Sequence, residues 1–202
     1  MTEAFEISGV PSEGGVLIVV DHASRHIPDD IDLGIPPEYE DDHIAYDPGI
    51  APIARLMTEH GGYLAILSAN SRLIVDLNRY PDEAAVIVES SDGIEIPGNH
   101  LSAEDRQARL DRFFTPYHER VAALIADLKP ALVASLHSFS PVLRTRPDLE
   151  RPWDMGIMYN EHQTAPRLAL QFLGEEDGLI IGDQMPYSGK DLNATMNRHC
   201  ET

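Results

Sequence analysis

Val16-Leu17-Ile18-Val19-Val20-Asp21-His22-Ala23-Ser24-Arg25-His26 decides the fold. Its first five residues are apolar, mostly β-branched and without polar alternation, the pattern of a strand buried on both faces inside a parallel sheet. The text then turns polar within one residue. In open α/β sheets ligands lie outside the carboxyl ends of the strands, so Asp21-His22 is the first place to look for a site. Ala131 to Leu136 repeats the arrangement, a buried run followed at once by His137-Ser138-Phe139-Ser140-Pro141, and Tyr63 to Leu67 supplies a third strand. Between them, Asp47-Pro48-Gly49 opens a helix with Asp47 as N-cap and Pro48 at the first helical position. Ile50, Ile53, Ala54 and Met57 share its inner face and Gly61-Gly62 stops it. Ser102-Ala103-Glu104-Asp105 resembles a capping box ahead of the strongest helical pattern, Leu110, Phe113, Phe114, Tyr117, Val121, Leu124, Ile125 and Leu128, broken at Lys129-Pro130. Farther on, Met155 to Tyr159 and Leu179 to Ile181 read as strands, and Ala165 to Leu173 and Asn193 to His199 as helices. This alternation predicts one α/β domain over residues 1–202, three-layer α/β/α with a mostly parallel central sheet.

Ser71-Arg72-Leu73-Ile74-Val75-Asp76-Leu77-Asn78-Arg79 reads as a further short buried strand with an unusual density of polar groups at its ends. Two guanidiniums on one rigid element can grip a carboxylate in fork geometry, with Asp76 holding one of them in place. The plainer reading is an internal Arg–Asp tether. After it comes an acidic excursion with turns at Asp92-Gly93 and Pro97-Gly98, in which Ala85 to Val88 adds an edge strand.

Asp and Glu number 34 against 15 Lys and Arg, a net charge of -19. That field repels phosphate backbones and anionic lipid, so neither a nucleic acid nor a membrane surface is an expected partner. An acidic substrate needs a local basic pocket, which Arg72 and Arg79 can supply; Arg144, Arg146 and Arg151 form a second basic stretch. The single Cys200 excludes an intrachain disulfide and suits a reducing compartment. With neither a leader pattern nor a membrane-length apolar window, the expectation is a cytoplasmic protein of undetermined oligomeric state.

Two strands that each deliver a His to one rim of a sheet suggest metal chemistry. Zinc hydrolases acting on amides offer two imidazoles and a carboxylate, and leave a position for water. His22 and His137 supply the first two and Asp47 is the candidate third ligand. The segments Asp21-His22-Ala23-Ser24, Tyr46-Asp47-Pro48-Gly49, Ser71 to Arg79, His137 to Pro141 and Pro186-Tyr187-Ser188-Gly189 together resemble the N-formylglutamate amidohydrolase family, related to zinc carboxypeptidases and aspartoacylases. The resemblance implies a carboxypeptidase/phosphorylase-hydrolase-like fold, one Zn2+ or another divalent ion per chain, and release of formate from N-formyl-L-glutamate, a step of histidine breakdown. It makes His22 and His137 metal ligands, Asn78 and Arg79 the clamp on the substrate α-carboxylate, and Arg72 a second anion contact or a brace for Asp76. Tyr187 and Ser188 fall on the substrate side.

At two points the chain departs from that pattern. Carboxypeptidases and aspartoacylases take a metal ligand from a Glu three residues after the first His, where this chain has Arg25. The proton-shuttling Glu expected late in the sequence has no counterpart before Thr202, so no general base is assigned. A chain cut before that strand, a related N-acyl amino acid deacylase or carboxypeptidase-like hydrolase, and a non-catalytic anion-binding relative all stay open.

Overall fold

A computed structural model describes residues 3–201 of the chain. These residues gather into two compact units, one ending at Ser140 and the other beginning at Pro141. In the first, β2 (Val16–Val20) is the central strand, with Leu17 to Val20 wholly buried. It pairs in parallel with β3 (Leu64–Ser68) on one side and with β6 (Leu132–Ser135) on the other; β1 (Phe5–Gly9) adds antiparallel to β3. The sheet order is β1-β3-β2-β6.

Alternation along the strands decides the layers. Ile18, Val20, Ala65 and Leu67 pack against Ile50, Ala51 and Ala54 of α1 (Ile50–Gly61). Leu17, Val19, Leu64 and Ile66 face the opposite way, onto Leu110, Phe113, Phe114, Tyr117, Val121 and Leu124. Those six belong to one long helical rod: α2 (Ala103–Arg109), a π turn over Leu110–Phe114, and α3 (Thr115–Leu128). The Ser102 hydroxyl caps the rod by accepting the Asp105 N–H at 3.1 Å, as its sequence predicts. The π turn inserts an extra residue per turn and shifts the buried stripe, so the sequence neighbours Tyr117 and His118 are both buried. The molecule is a mixed α/β protein with a mostly parallel central sheet, as the alternation predicts.

Local expectations were corrected in three places, and one strand was not read from the sequence. Ser71 to Arg79 is a buried chain of turns, with Ile74 N–H donating to Ser71 O (3.0 Å), Asp76 N–H to Val86 O (2.7 Å) and Arg79 N–H to Asp76 O (3.2 Å). Asn99 Nδ2 satisfies Leu73 O at 2.8 Å. The Leu-Ile-Val run marks burial, which a loop can also achieve once its backbone groups find partners. Ala84–Val86 is a single 3-10 turn rather than an edge strand. The polar-looking Phe5 to Gly9 is a strand that its composition hid. Finally, Asp47 does not cap α1: the N-cap is Gly49 at φ 83°, which places Asp47 three residues ahead of the helix with its carboxylate turned elsewhere. Gly62, at φ 68°, ends the helix as predicted. Asp92-Gly93, both at positive φ, forms the turn of a small hairpin between β4 (Ser90–Ser91) and β5 (Ile94–Glu95).

The second unit pairs β7 (Met155–Ile157) in parallel with β8 (Ile181–Asp183), joined through α4 (Thr164–Leu173), and closes with α5 (Ala194–Cys200). Tyr159 donates to Asp183 Oδ1 at 2.6 Å, and Arg167 pairs with Asp183 Oδ2 at 3.2 Å while lying 5.3 Å over the Tyr159 ring. Among the described residues no helix is long and apolar enough to cross a membrane.

Candidate functional site

β2 and β6 run side by side in parallel, so the residues just past their carboxyl ends share one rim of the sheet. His22 and His137 stand there with ring centroids 4.9 Å apart. Asp47 joins them because its backbone N–H donates to His22 O at 2.9 Å, fastening the pre-helical turn to the end of β2. Released from capping, the Asp47 carboxylate turns inward. Its Oδ2 lies 2.9 Å from His137 Nδ1 and 3.6 Å from His22 Nδ1, and accepts the Ser138 N–H at 3.1 Å. One ligand atom from each of the three residues falls within 4.8 Å of the others.

Behind this trio is a second ring of partners. Asp76 Oδ1 lies 2.7 Å from His22 Nε2 and accepts the Asn78 N–H at 2.9 Å, and Asp76 Oδ2 takes Arg72 at 2.5 Å. Arg72 also reaches Asp47 Oδ1 at 3.6 Å. Of the two roles that the sequence left to it, brace and anion contact, this geometry supports the brace. Arg79 behaves differently: its guanidinium makes one hydrogen bond among the described residues, to the Asn78 carbonyl at 3.2 Å, and keeps most of its donors available. Asn78 Nδ2 is 3.4 Å from His137 Nε2, so that half of the expected clamp borders the His pair, while the Arg79 charge acts on Asp76. Arg25 pairs with Asp41 on the exposed surface, away from these groups.

Burial disfavours charge on the carboxyls, but nearby cations prevail. His22 and His137 hold Asp47, and Arg72, His22 and Arg79 hold Asp76, far below the ordinary carboxylate range. Asp21, buried beneath His137, is also held low, chiefly by that imidazole. Burial alone would lower the pKa of His137, yet the Asp21 and Asp47 carboxylates beside it push it up to about 9. Metal-free His137 therefore carries its proton at neutral pH. Three buried anions are balanced here by Arg72 and that proton, with Arg79 at the edge.

A divalent cation fits this donor set. Two imidazole nitrogens and a carboxylate oxygen are the ligands of a zinc-class ion, and a buried unpaired nitrogen, His22 Nδ1, already points at the shared Asp47 oxygen. Metal binding would replace the His137 proton.

Tyr187 and Ser188 belong to the second unit. There Arg151 donates to the Tyr187 hydroxyl at 2.9 Å and lies 5.0 Å over its ring, and the Ser188 hydroxyl accepts the Lys190 N–H at 3.2 Å. Glu201 accepts the backbone N–H of Glu161 and His162. Sequence reasoning marked Asp21 only as part of the polar strand end and gave no role to it or to Tyr117, whose hydroxyl donates to Asp21 Oδ1 at 2.8 Å. The available signal was a buried strand ending in two polar residues: their side chains leave on opposite faces, so each needs its own partner.

A gene product of Agrobacterium tumefaciens of known crystal structure is 30% identical, with a TM-score of 0.88 over 98% of this chain and 80% of that one. The N-formylglutamate amidohydrolase of Ralstonia eutropha shares the fold at 18% identity, with a TM-score of 0.71 over 92% of this chain and 78% of that one. No curated protein matches the chain. The sequence profile of N-formylglutamate amidohydrolase matches residues 14–202, and the chain belongs to that amidohydrolase family.

Proposed function

We propose that this protein is a metal-dependent amidohydrolase that cleaves the N-acyl amide of an acidic amino acid, most simply N-formyl-L-glutamate to glutamate and formate. The observation that carries the reading is the convergence of His22, Asp47 and His137 on one rim, beside Asn78 and the under-used guanidinium of Arg79. His22, Asp47 and His137 would hold the ion, which when bound acidifies a water molecule and polarises the amide carbonyl. Asp76 holds the His22 ring by Nε2 and leaves Nδ1 facing the site. Arg79 and Asn78 fix the substrate by a carboxylate, a charge-assisted contact that sets the amide against the reacting centre. Within a chain of net charge -19, that local cation accounts for how a doubly acidic substrate is received.

The test is formate release from N-formyl-L-glutamate beside N-acetyl and N-succinyl analogues, with and without chelator. Chelator-sensitive formate release, with the formyl substrate preferred, is expected. Activity that chelator leaves untouched would remove the metal; binding of N-formyl-L-glutamate without turnover would recast the chain as an anion-binding relative.

A further inference from the structure

We propose that Asp21, held by Tyr117, is a positioning residue: it accepts a hydrogen bond from His137 Nε2–H and so commits His137 Nδ1 to the metal. The inference rests on the metal-site reading above. It begins with register. Val19 lies opposite Ser135 in the parallel β2–β6 pair, and two more residues along each strand bring Asp21 beside His137. Side chains two apart share a face, so the Asp21 carboxylate lies under the imidazole while His22, one residue on, turns to the other side.

Asp21 is 1% exposed. Its Oδ1 takes the hydroxyl of Tyr117, a residue with no exposed surface that α3 and the preceding π turn bring into place. Oδ2 has no hydrogen bond and lies 3.6 Å from His137 Nε2. A buried carboxylate oxygen left unsatisfied is costly, and the facing ring nitrogen is the group that can satisfy it after a slight turn of the half-buried imidazole. Two other groups face the same nitrogen, Ser135 Oγ at 3.2 Å and the Asn78 side-chain amide at 3.4 Å, whose oxygen and not its NH2 must face an Nε2–H. The hydroxyl can rotate to other partners and its hydrogen bond is neutral; the carboxylate is fixed and makes a bond roughly twice as strong. His22 provides the parallel, since Asp76 on its Nε2 leaves Nδ1 for the site. Each imidazole is thus backed by its own carboxylate, which fixes the tautomer and raises ligand basicity.

The experiment compares metal affinity in the full chain, by competition with a chromogenic chelator, for wild type, Asp21→Asn, Tyr117→Phe and Ser135→Ala. It adds the visible spectrum of the Co2+ form and the His137 tautomer by long-range 15N NMR of the Zn2+ form. Asp21→Asn should bind metal about 10- to 100-fold more weakly with an altered Co2+ spectrum, Tyr117→Phe should follow to a smaller degree, and Ser135→Ala should bind as wild type. The wild-type tautomer should be Nε2–H. A folded Asp21→Asn with wild-type affinity, a loss confined to Ser135→Ala, or a proton on Nδ1 overturns the assignment. Should Asp21→Asn fail to fold, the tautomer of the unaltered protein decides. A wild type that binds no metal fails the underlying reading and this inference with it; a wild type that binds metal with the other tautomer fails this inference alone.

Discussion

His22 and His137 both follow a buried parallel strand and share the Asp47 carboxylate, yet their surroundings differ in tolerance. The His22 side chain is 2% exposed and its Nε2 sits 2.7 Å from an aspartate that two further donors hold from behind. The His137 side chain is 21% exposed, and three groups share its Nε2 at 3.2 to 3.6 Å, none as close as Asp76 is to His22. The first corner is a fixed post and the second is the looser, more exposed side, where Asp21 and Asp47 raise the pKa of His137.

The largest effect that would break the contrast is at Asp76. Asp76→Ala strips partners from His22, Arg72 and the Asn78 N–H at once, and removing one side of a buried charged network costs about 3–5 kcal/mol. Urea unfolding of the metal-free protein should show a loss of that order. A loss below about 1 kcal/mol, the size of one ordinary hydrogen bond, would mean that the His22 corner is no more fixed than its neighbour.

The open corner should reveal itself through pH. His137 rises from 6.5 unfolded to about 9 folded, so its contribution is complete below 6.5 and is lost as pH climbs from 6.5 to 9. Asp21, Asp47 and Asp76 are held below 3.8, so theirs is complete above that value and is lost as pH falls beneath it. Metal-free protein should be most stable between about pH 4 and 6.5 and should give up about 3 kcal/mol on the way to pH 9. The measurement is unfolding free energy at pH 6 and 9 after chelation, in wild type and in His137→Gln, which should lack the decline. A wild-type profile flat across that interval would mean that His137 gains no proton affinity on folding.

Much of this arrangement was legible because burial on both faces leaves a plain mark. Val16 to Val20 and its two companions read as parallel strands, and their polar ends gave the rim that carries both imidazoles. Asp47 was named as a ligand candidate beside the blander reading as a cap, and the placement of Gly49 at the helix start removes the cap reading. Ser71 to Arg79 misled because an apolar run reports burial and not extension; its turns depend on Asn99 and Val86, partners distant in sequence. Asp21 was hidden for a related reason, since its neighbour is set by the pairing of β2 with β6, a contact across more than a hundred residues. Nor could the π turn be foreseen, because the apolar spacing through Leu110 to Leu128 suits an unbroken α-helix.

The smallest expected effects separate the two arginines of that misread segment and return to the same contrast. Arg72 lies between Asp76 and Asp47 and belongs to the fixed corner, whereas Arg79 spends one donor on the Asn78 carbonyl and keeps the rest available. Arg79→Ala should raise KM for N-formyl-L-glutamate about 10- to 100-fold, the 1.5–3 kcal/mol of a charged hydrogen bond, with kcat changed far less. Its unfolding free energy should stay near that of wild type. Arg72→Ala should do the reverse, lowering stability by about 1–2 kcal/mol, a figure held down by the partial exposure of its side chain, and leaving KM nearly intact. Steady-state kinetics and urea unfolding on the same two variants give four numbers. If Arg72→Ala moves KM as far as Arg79→Ala does, both guanidiniums reach the substrate, and the boundary between post and open side runs through Asp76 and not between the two arginines.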